Sequence, residues 1–203
     1  MASSAEPFVT GLVLAAGGSR RLGEPKQLLP FGTRTLLDHV LDTARSSRFD
    51  QLIVALGGGG ERIQREVDLS GAEVVINRDY GTGCSSTIGA GLSAVDERAR
   101  VLVLMLGDQP GVTSETVRRL LAGRDEDTRL AVCRYEDGCG HPLAFDRAMF
   151  GELRELHGDK AVWQLIDRLG DEVVEVRVPG PIPSDVDTRE DYDAVLAAAG
   201  LSP

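Results

Sequence analysis

Three glycines and three cations are packed into Leu14-Ala15-Ala16-Gly17-Gly18-Ser19-Arg20-Arg21-Leu22-Gly23-Glu24-Pro25-Lys26. Glycine lets backbone N–H groups close on phosphate oxygens with no side chain in the way, and Arg21 and Lys26 neutralise charge that a bare loop could not. The composition is that of a phosphate cradle. Gly18-x4-Gly23 has the spacing of a P-loop, but Glu24 and Pro25 stand where Lys and Ser/Thr should follow, and no G-x-G-x-x-G is present for a dinucleotide fold. The plain alternative is a glycine-rich surface turn with incidental arginines.

Further on, Val101-Leu-Val-Leu-Met-Leu106 runs straight into Gly107-Asp108-Gln109-Pro110, which puts a carboxylate at the end of a buried strand. Magnesium prefers oxygen ligands and is commonly held by one or two carboxylates with substrate phosphates, so Asp108 is the first candidate ligand. A turn or capping Asp is the competing reading. Asn77 to Leu92 is a polar loop, with Gly83, Ser85 and Ser86, feeding a helix N-terminus. Its free N–H groups and hydroxyls suit a base or ribose, or the serine is an ordinary N-cap. Cys84 reads as a small packing residue, because phosphoryl chemistry rests on positioning and electrostatics rather than on a thiolate. The glycines from Gly57 to Gly60 follow a strand and receive no role.

Short apolar runs position these residues: Gly11 to Ala16, Leu52 to Leu56, Glu73 to Ile76, Val101 to Leu106 and Leu130 to Cys133. Between them lie helical stripes such as Leu36, Leu37, Val40, Leu41 and Ala44, or Val117, Leu120 and Leu121. Strands apolar throughout and separated by helices predict a Rossmann-like α/β fold, a mainly parallel sheet with helices on both faces and ligands at the carboxyl ends of the strands. From about Glu136 the pattern loosens into glycines and prolines. Thr188 with Asp191 three residues on predicts a capped final helix that Gly200 stops.

At 203 residues one domain is expected, residues 1–203, with a nucleotide-binding half over about 10–110 and an acceptor and metal-completing half over about 111–200. A net charge of -10 opposes binding to nucleic acid. No apolar run spans a bilayer and the first residues lack a basic n-region, so no membrane is expected. Three cysteines without metal spacing fit reduced thiols in a cytoplasm.

Leu14 to Gly23, followed by Pro25-Lys26-Gln27-Leu28-Leu29-Pro30, resembles the L-A-A-G-x-S-x-R-M-G-x-x-K-x-L-L-P signature of the MobA-like nucleotidyltransferases, particularly the molybdenum cofactor cytidylyltransferases, with Leu22 for Met. Gly107-Asp108-Gln109-Pro110 resembles the family's metal motif, and Asp185-Val186-Asp187-Thr188-Arg189-Glu190-Asp191 its D-I-D-T-P-E-D segment. The stretch from Asn77 is similar to its N-x5-G-M-S-S-S-L, with Cys84 for Met and Thr87 for Ser. Gly140-His141-Pro142-Leu143-Ala144-Phe145 resembles G-H-P-x-x-F near the acceptor. Gly158-Asp159-Lys160 begins like G-D-x-G-A-R, but Ala161, Val162 and Trp163 replace Gly, Ala and Arg.

The resemblance implies a magnesium-dependent enzyme in which the backbone of Leu14 to Ser19 lines the nucleotide beside Arg20. Arg21 sits by the phosphates, Lys26 holds the triphosphate, and Asp108 with Asp187 binds the metal, Asp185 being the alternate. Asn77, Gly83, Ser85 and Ser86 would complete the nucleotide site, and His141 and Asp159 would face the acceptor. Ala16 matches the cytidylyl branch, where the guanylyl branch carries Gly, so CTP is the favoured NTP. The implied acceptor is a phosphorylated small molecule, molybdenum cofactor in particular, and a molybdoenzyme is the implied partner. The altered residues from Ala161 to Trp163 leave open a sugar phosphate or another phosphorylated metabolite. A nucleotide-binding delivery protein without catalysis is the remaining rival.

Overall fold

A computed structural model describes residues 7–19 and 21–202. Its strands are β1 (Val9–Ala15), the short pair β2 (Pro30–Phe31) and β3 (Arg34–Thr35), then β4 (Gln51–Leu56), β5 (Glu73–Ile76), β6 (Val101–Leu106), β7 (Leu130–Arg134), β8 (Cys139–Asp146) and β9 (Val173–Arg177). The helices are α1 (Leu36–Ser46), α2 (Gly60–Glu66), α3 (Cys84–Leu92), α4 (Ser114–Ala122), α5 (Phe150–Arg154), α6 (Ala161–Leu169) and α7 (Arg189–Ala198). No helix of the described residues is long and apolar enough to cross a membrane.

Seven strands form one sheet in the order β5-β4-β1-β6-β8-β7-β9. β1 pairs in parallel with both β4 and β6, and β4 with β5. The chain therefore moves outward from β1 to β5 and returns on the other side at β6, which makes the carboxyl ends of β1 and β6 the switch point where ligands sit in such sheets. The mainly parallel α/β fold expected from the apolar runs is what the chain adopts. β8 is the exception, running antiparallel to β6 and β7. It lies in the region where the sequence pattern loosened, and its residues from Gly140 to Phe145 are all buried.

Two apolar layers cover the sheet. One face packs Val13, Val54 and Val103 against α1 and α4, and the other packs Leu12, Ile53, Leu102 and Leu104 against α3, α5 and α6. The stripe Leu36, Leu37, Val40, Leu41, Ala44 of α1 is buried as its spacing requires, and a capping box between Thr35 and Asp38 starts that helix. A third, smaller cluster joins Leu29, Phe31 and Leu36 to Val186, Tyr192 and Leu196. It docks α7 beside the segment that follows Lys26. The capping box expected between Thr188 and Asp191 is present, with Asp191 accepting from Thr188 N at 2.8 Å.

Candidate active site

The loop after β1 folds back on itself. Ser19, at φ +47°, accepts from Lys26 N through Oγ at 2.8 Å, and Leu22 N donates to Ser19 O at 3.1 Å. Gln27, whose side chain is buried, donates from Nε2 to Ala15 O at 2.8 Å and to Gly17 O at 3.3 Å, pinning the glycine segment from beneath. The result is a cavity of about 490 Å³ at the carboxyl ends of β1 and β6. Leu14, Ala15, Ala16, Gly17, Gly18, Ser19, Arg21, Lys26, Gly83, Asp108, Asp159 and Asp187 all line it.

Charge is concentrated at one end. The Lys26 ammonium donates to Asp108 and, at 2.7 Å, to Asp187 Oδ1, while Arg21 Nη2 meets Asp187 Oδ2 at 2.6 Å. Burial opposes the charge on Lys26, but the two carboxylates outweigh it and its pKa stands above the usual value. The Lys26 hydrogen bond holds Asp187 below the ordinary carboxylate range, against the effect of its partial burial. Asp185 goes the other way: burial and then the Asp108 charge raise it to about 6. These aspartates reach one another because the backbone is sewn together, Val186 N donating to Asp108 O at 3.1 Å and Gln109 Nε2 to Pro183 O at 3.0 Å.

The donor set fits a magnesium or manganese ion. Among the described residues no group of three or more His, Cys, Asp or Glu side chains is arranged to hold a metal ion, yet these hard cations need only one or two carboxylates when phosphates and water complete the shell. Asp108 and Asp187 are that number of carboxylates, both lining the cavity.

Other expected residues lie behind the wall. Asn77 donates to Ser86 Oγ at 2.9 Å and to Thr87 Oγ1 at 3.0 Å, bracing the first turn of α3, and Ser86 Oγ in turn bonds Gly83 O at 2.8 Å. Ser85 is buried, with its N–H on Gly158 O. None of the three lines the cavity. Neither does His141, which sits within β8, 9% exposed and edge-on to Trp163 with centroids 5.5 Å apart. Arg20 falls outside the described residues.

Gln27, directly after Lys26, lines the cavity and Gly57 supports it, although no motif assigns either of them a part. A Cβ on Gly57 would stand 2.7 Å from Ala16 O and 2.7 Å from Tyr80 Cβ, so only glycine lets the end of β4 meet the loop after β1. Tyr80 and Thr87 also line the cavity. Only the folded positions of these two reveal it.

A mainly parallel sheet that switches direction at β1, with a glycine loop and an acidic pair at the switch point, defines the class as a Rossmann-like nucleotidyltransferase fold. Residues 11–173 match the model of the MobA-like NTP transferase domain, and the chain belongs to that family. The resemblance read from the motifs is borne out at that level. The structure of an Rv0371c homologue from Mycobacterium sp. strain JC1 is 51% identical, with a TM-score of 0.89 over 95% of this chain and 96% of that one. Rv0371C of Mycobacterium tuberculosis H37Rv, in complex with manganese, is 44% identical with a TM-score of 0.82 over 94% and 98%. Nicotine blue oxidoreductase of Paenarthrobacter nicotinovorans is 32% identical over 151 residues, 70% of this chain and 73% of that protein.

Proposed function

We propose that this protein is a magnesium-dependent nucleotidyltransferase that takes the NMP group of an NTP, CTP above the others, and transfers it to a phosphorylated small acceptor, molybdenum cofactor in particular, releasing pyrophosphate. The observation that carries the reading is the Lys26 ammonium held between Asp108 and Asp187 beside the glycine loop. A basic side chain and two carboxylates lining a cavity of about 490 Å³ match the needs of a triphosphate and its metal.

In this reading the backbone from Ala15 to Ser19 holds the nucleotide, while Lys26 and Arg21 neutralise its phosphate oxygens. Asp108 and Asp187 would hold the divalent ion, which supplies Lewis-acid neutralisation of the phosphates when bound. An acceptor phosphate oxygen attacks the α-phosphorus in line; the new P–O bond forms as the bond to the β-phosphate oxygen breaks, and pyrophosphate carries that electron pair away. No covalent enzyme intermediate is required. The manganese complex of Rv0371C supports a divalent ion. Ala16, 4% exposed at the cavity, supports CTP, since its methyl group fills space that a purine would need, an effect of about 1 to 3 kcal/mol.

One unit over residues 1–203 acts in the cytoplasm on small molecules rather than on nucleic acid. A second acceptor class is favoured by one observation. Ala161 and Val162 are buried and Trp163 packs on His141, so this segment presents no cation to the phosphate of molybdenum cofactor.

Pyrophosphate release with CTP, GTP, ATP and UTP, each with molybdenum cofactor, sugar phosphates or no acceptor, tests the reading. Release that is fastest with CTP and molybdenum cofactor is expected. Release with sugar phosphates alone selects the second acceptor class, and nucleotide binding without release for any pair establishes the delivery protein instead.

A further inference from the structure

Helix α3 begins without a side-chain cap of its own, because Gly83 occupies the capping position at φ +117°. Its free N–H groups are met from across the molecule. Asp159 Oδ1 accepts from Cys84 N at 2.9 Å, over 75 residues of sequence, and Gly158 O accepts from Ser85 N at 3.4 Å. The approach is so close that a Cβ on Gly83 would stand 2.9 Å from the Gly158 carbonyl carbon and 3.0 Å from Asp159 Oδ1. The segment leading into α6 is thus stapled to the first turn of α3. That turn is also a wall of the cavity, through Gly83, Cys84 and Thr87.

We propose that Asp159 is a positioning residue for the nucleotide: by capping α3 from the far half of the chain it fixes the Gly83 to Thr87 wall, instead of contacting the acceptor. The inference rests on reading the cavity as the nucleotide site. A carboxylate oxygen aimed at the first N–H groups of a helix satisfies donors that would otherwise need water. Without it, Gly83 has no side chain to hold the turn, and Gly158, at φ +89°, leaves the opposing loop free to move away. The wall then has to be ordered when the nucleotide arrives, which weakens binding.

The test is calorimetric binding of CTP, GTP, ATP and UTP, each with magnesium, to wild type, Asp159→Ala and Asp159→Asn. Asp159→Ala is expected to raise the Kd of the tightest nucleotide about tenfold. Asp159→Asn keeps an oxygen that can accept the Cys84 N–H and is expected to stay within about threefold of wild type. A residue touching the acceptor would behave differently: the nucleotide Kd would not move in either variant, and the acceptor KM would rise in both. Unchanged nucleotide Kd in Asp159→Ala overturns the assignment while leaving the nucleotide site standing. A tenfold loss in a folded Asp159→Asn also overturns it, since charge and not capping would then be the cause. If none of the four nucleotides binds wild type, the nucleotide-site reading and this inference fall together.

Discussion

His141→Gln separates a packing histidine from a functional one. The imidazole is 9% exposed against Trp163, and burial lowers its pKa from 6.5 to about 4. The unfolded chain therefore takes up a proton as pH falls through 6.5, whereas the folded chain resists until about pH 4. A group with a depressed folded pKa contributes its full stability above the unfolded value and loses it as pH falls towards the folded one. The gap between the two values corresponds to about 3 kcal/mol in total, of which roughly 2 kcal/mol is lost between pH 7.5 and pH 5. Urea unfolding followed by the fluorescence of Trp163, the single tryptophan, gives stability at both values. Asp185, raised to about 6, works in the opposite direction, so the quantity to compare is the difference in pH slope between wild type and His141→Gln. The variant is expected to lose about 2 kcal/mol less on acidification and to keep its turnover within about twofold. Equal slopes in the two proteins would refute the buried, neutral imidazole, and a collapse of turnover in a folded variant would return His141 to the acceptor.

Asp108→Asn removes an anionic ligand while keeping size; pyrophosphate release is expected to fall about a hundredfold or more with the fold intact by circular dichroism, and near wild-type turnover would dismiss Asp108 as a ligand. Cys84→Ser is expected to remain within about threefold of wild type, because burial, with Asp159 and Asp108 nearby, pushes the thiol up to about 11 and leaves no thiolate to lose. A dead but folded Cys84→Ser, or rapid alkylation of Cys84 at neutral pH, would contradict that. Gly57→Ala forces a methyl group against Ala16 O and Tyr80, and about 1 to 3 kcal/mol of destabilisation with weaker nucleotide binding is expected; an unchanged melting temperature and Kd would show that the loops yield freely.

The glycine loop, the strand running into Asp108 and the Thr188 cap were legible because each is local. Residue type and spacing over a few positions decide whether a turn can cradle phosphate, whether a run is buried and whether a hydroxyl meets an N–H three residues on. The parallel half of the sheet followed for the same reason, since continuous apolar runs require cover on both faces.

What the sequence could not place depends on contacts between distant segments. Lys26 reaches Asp187 only because the cluster of Leu29, Phe31, Val186 and Tyr192 docks α7 beside the loop, and because Val186 and Gln109 tie the two acidic segments together. His141 and Asn77 carry polar groups that suit a site, yet β8 turns one into the core and the other braces α3. A motif names the residues that share a stretch of chain, but which of them face a common cavity is set by strand direction and by packing between segments far apart in sequence. Surroundings then decide their charge, the carboxylates outweighing burial at Lys26 and burial raising Asp185, because desolvation and neighbouring carboxylates act through space and not along the chain.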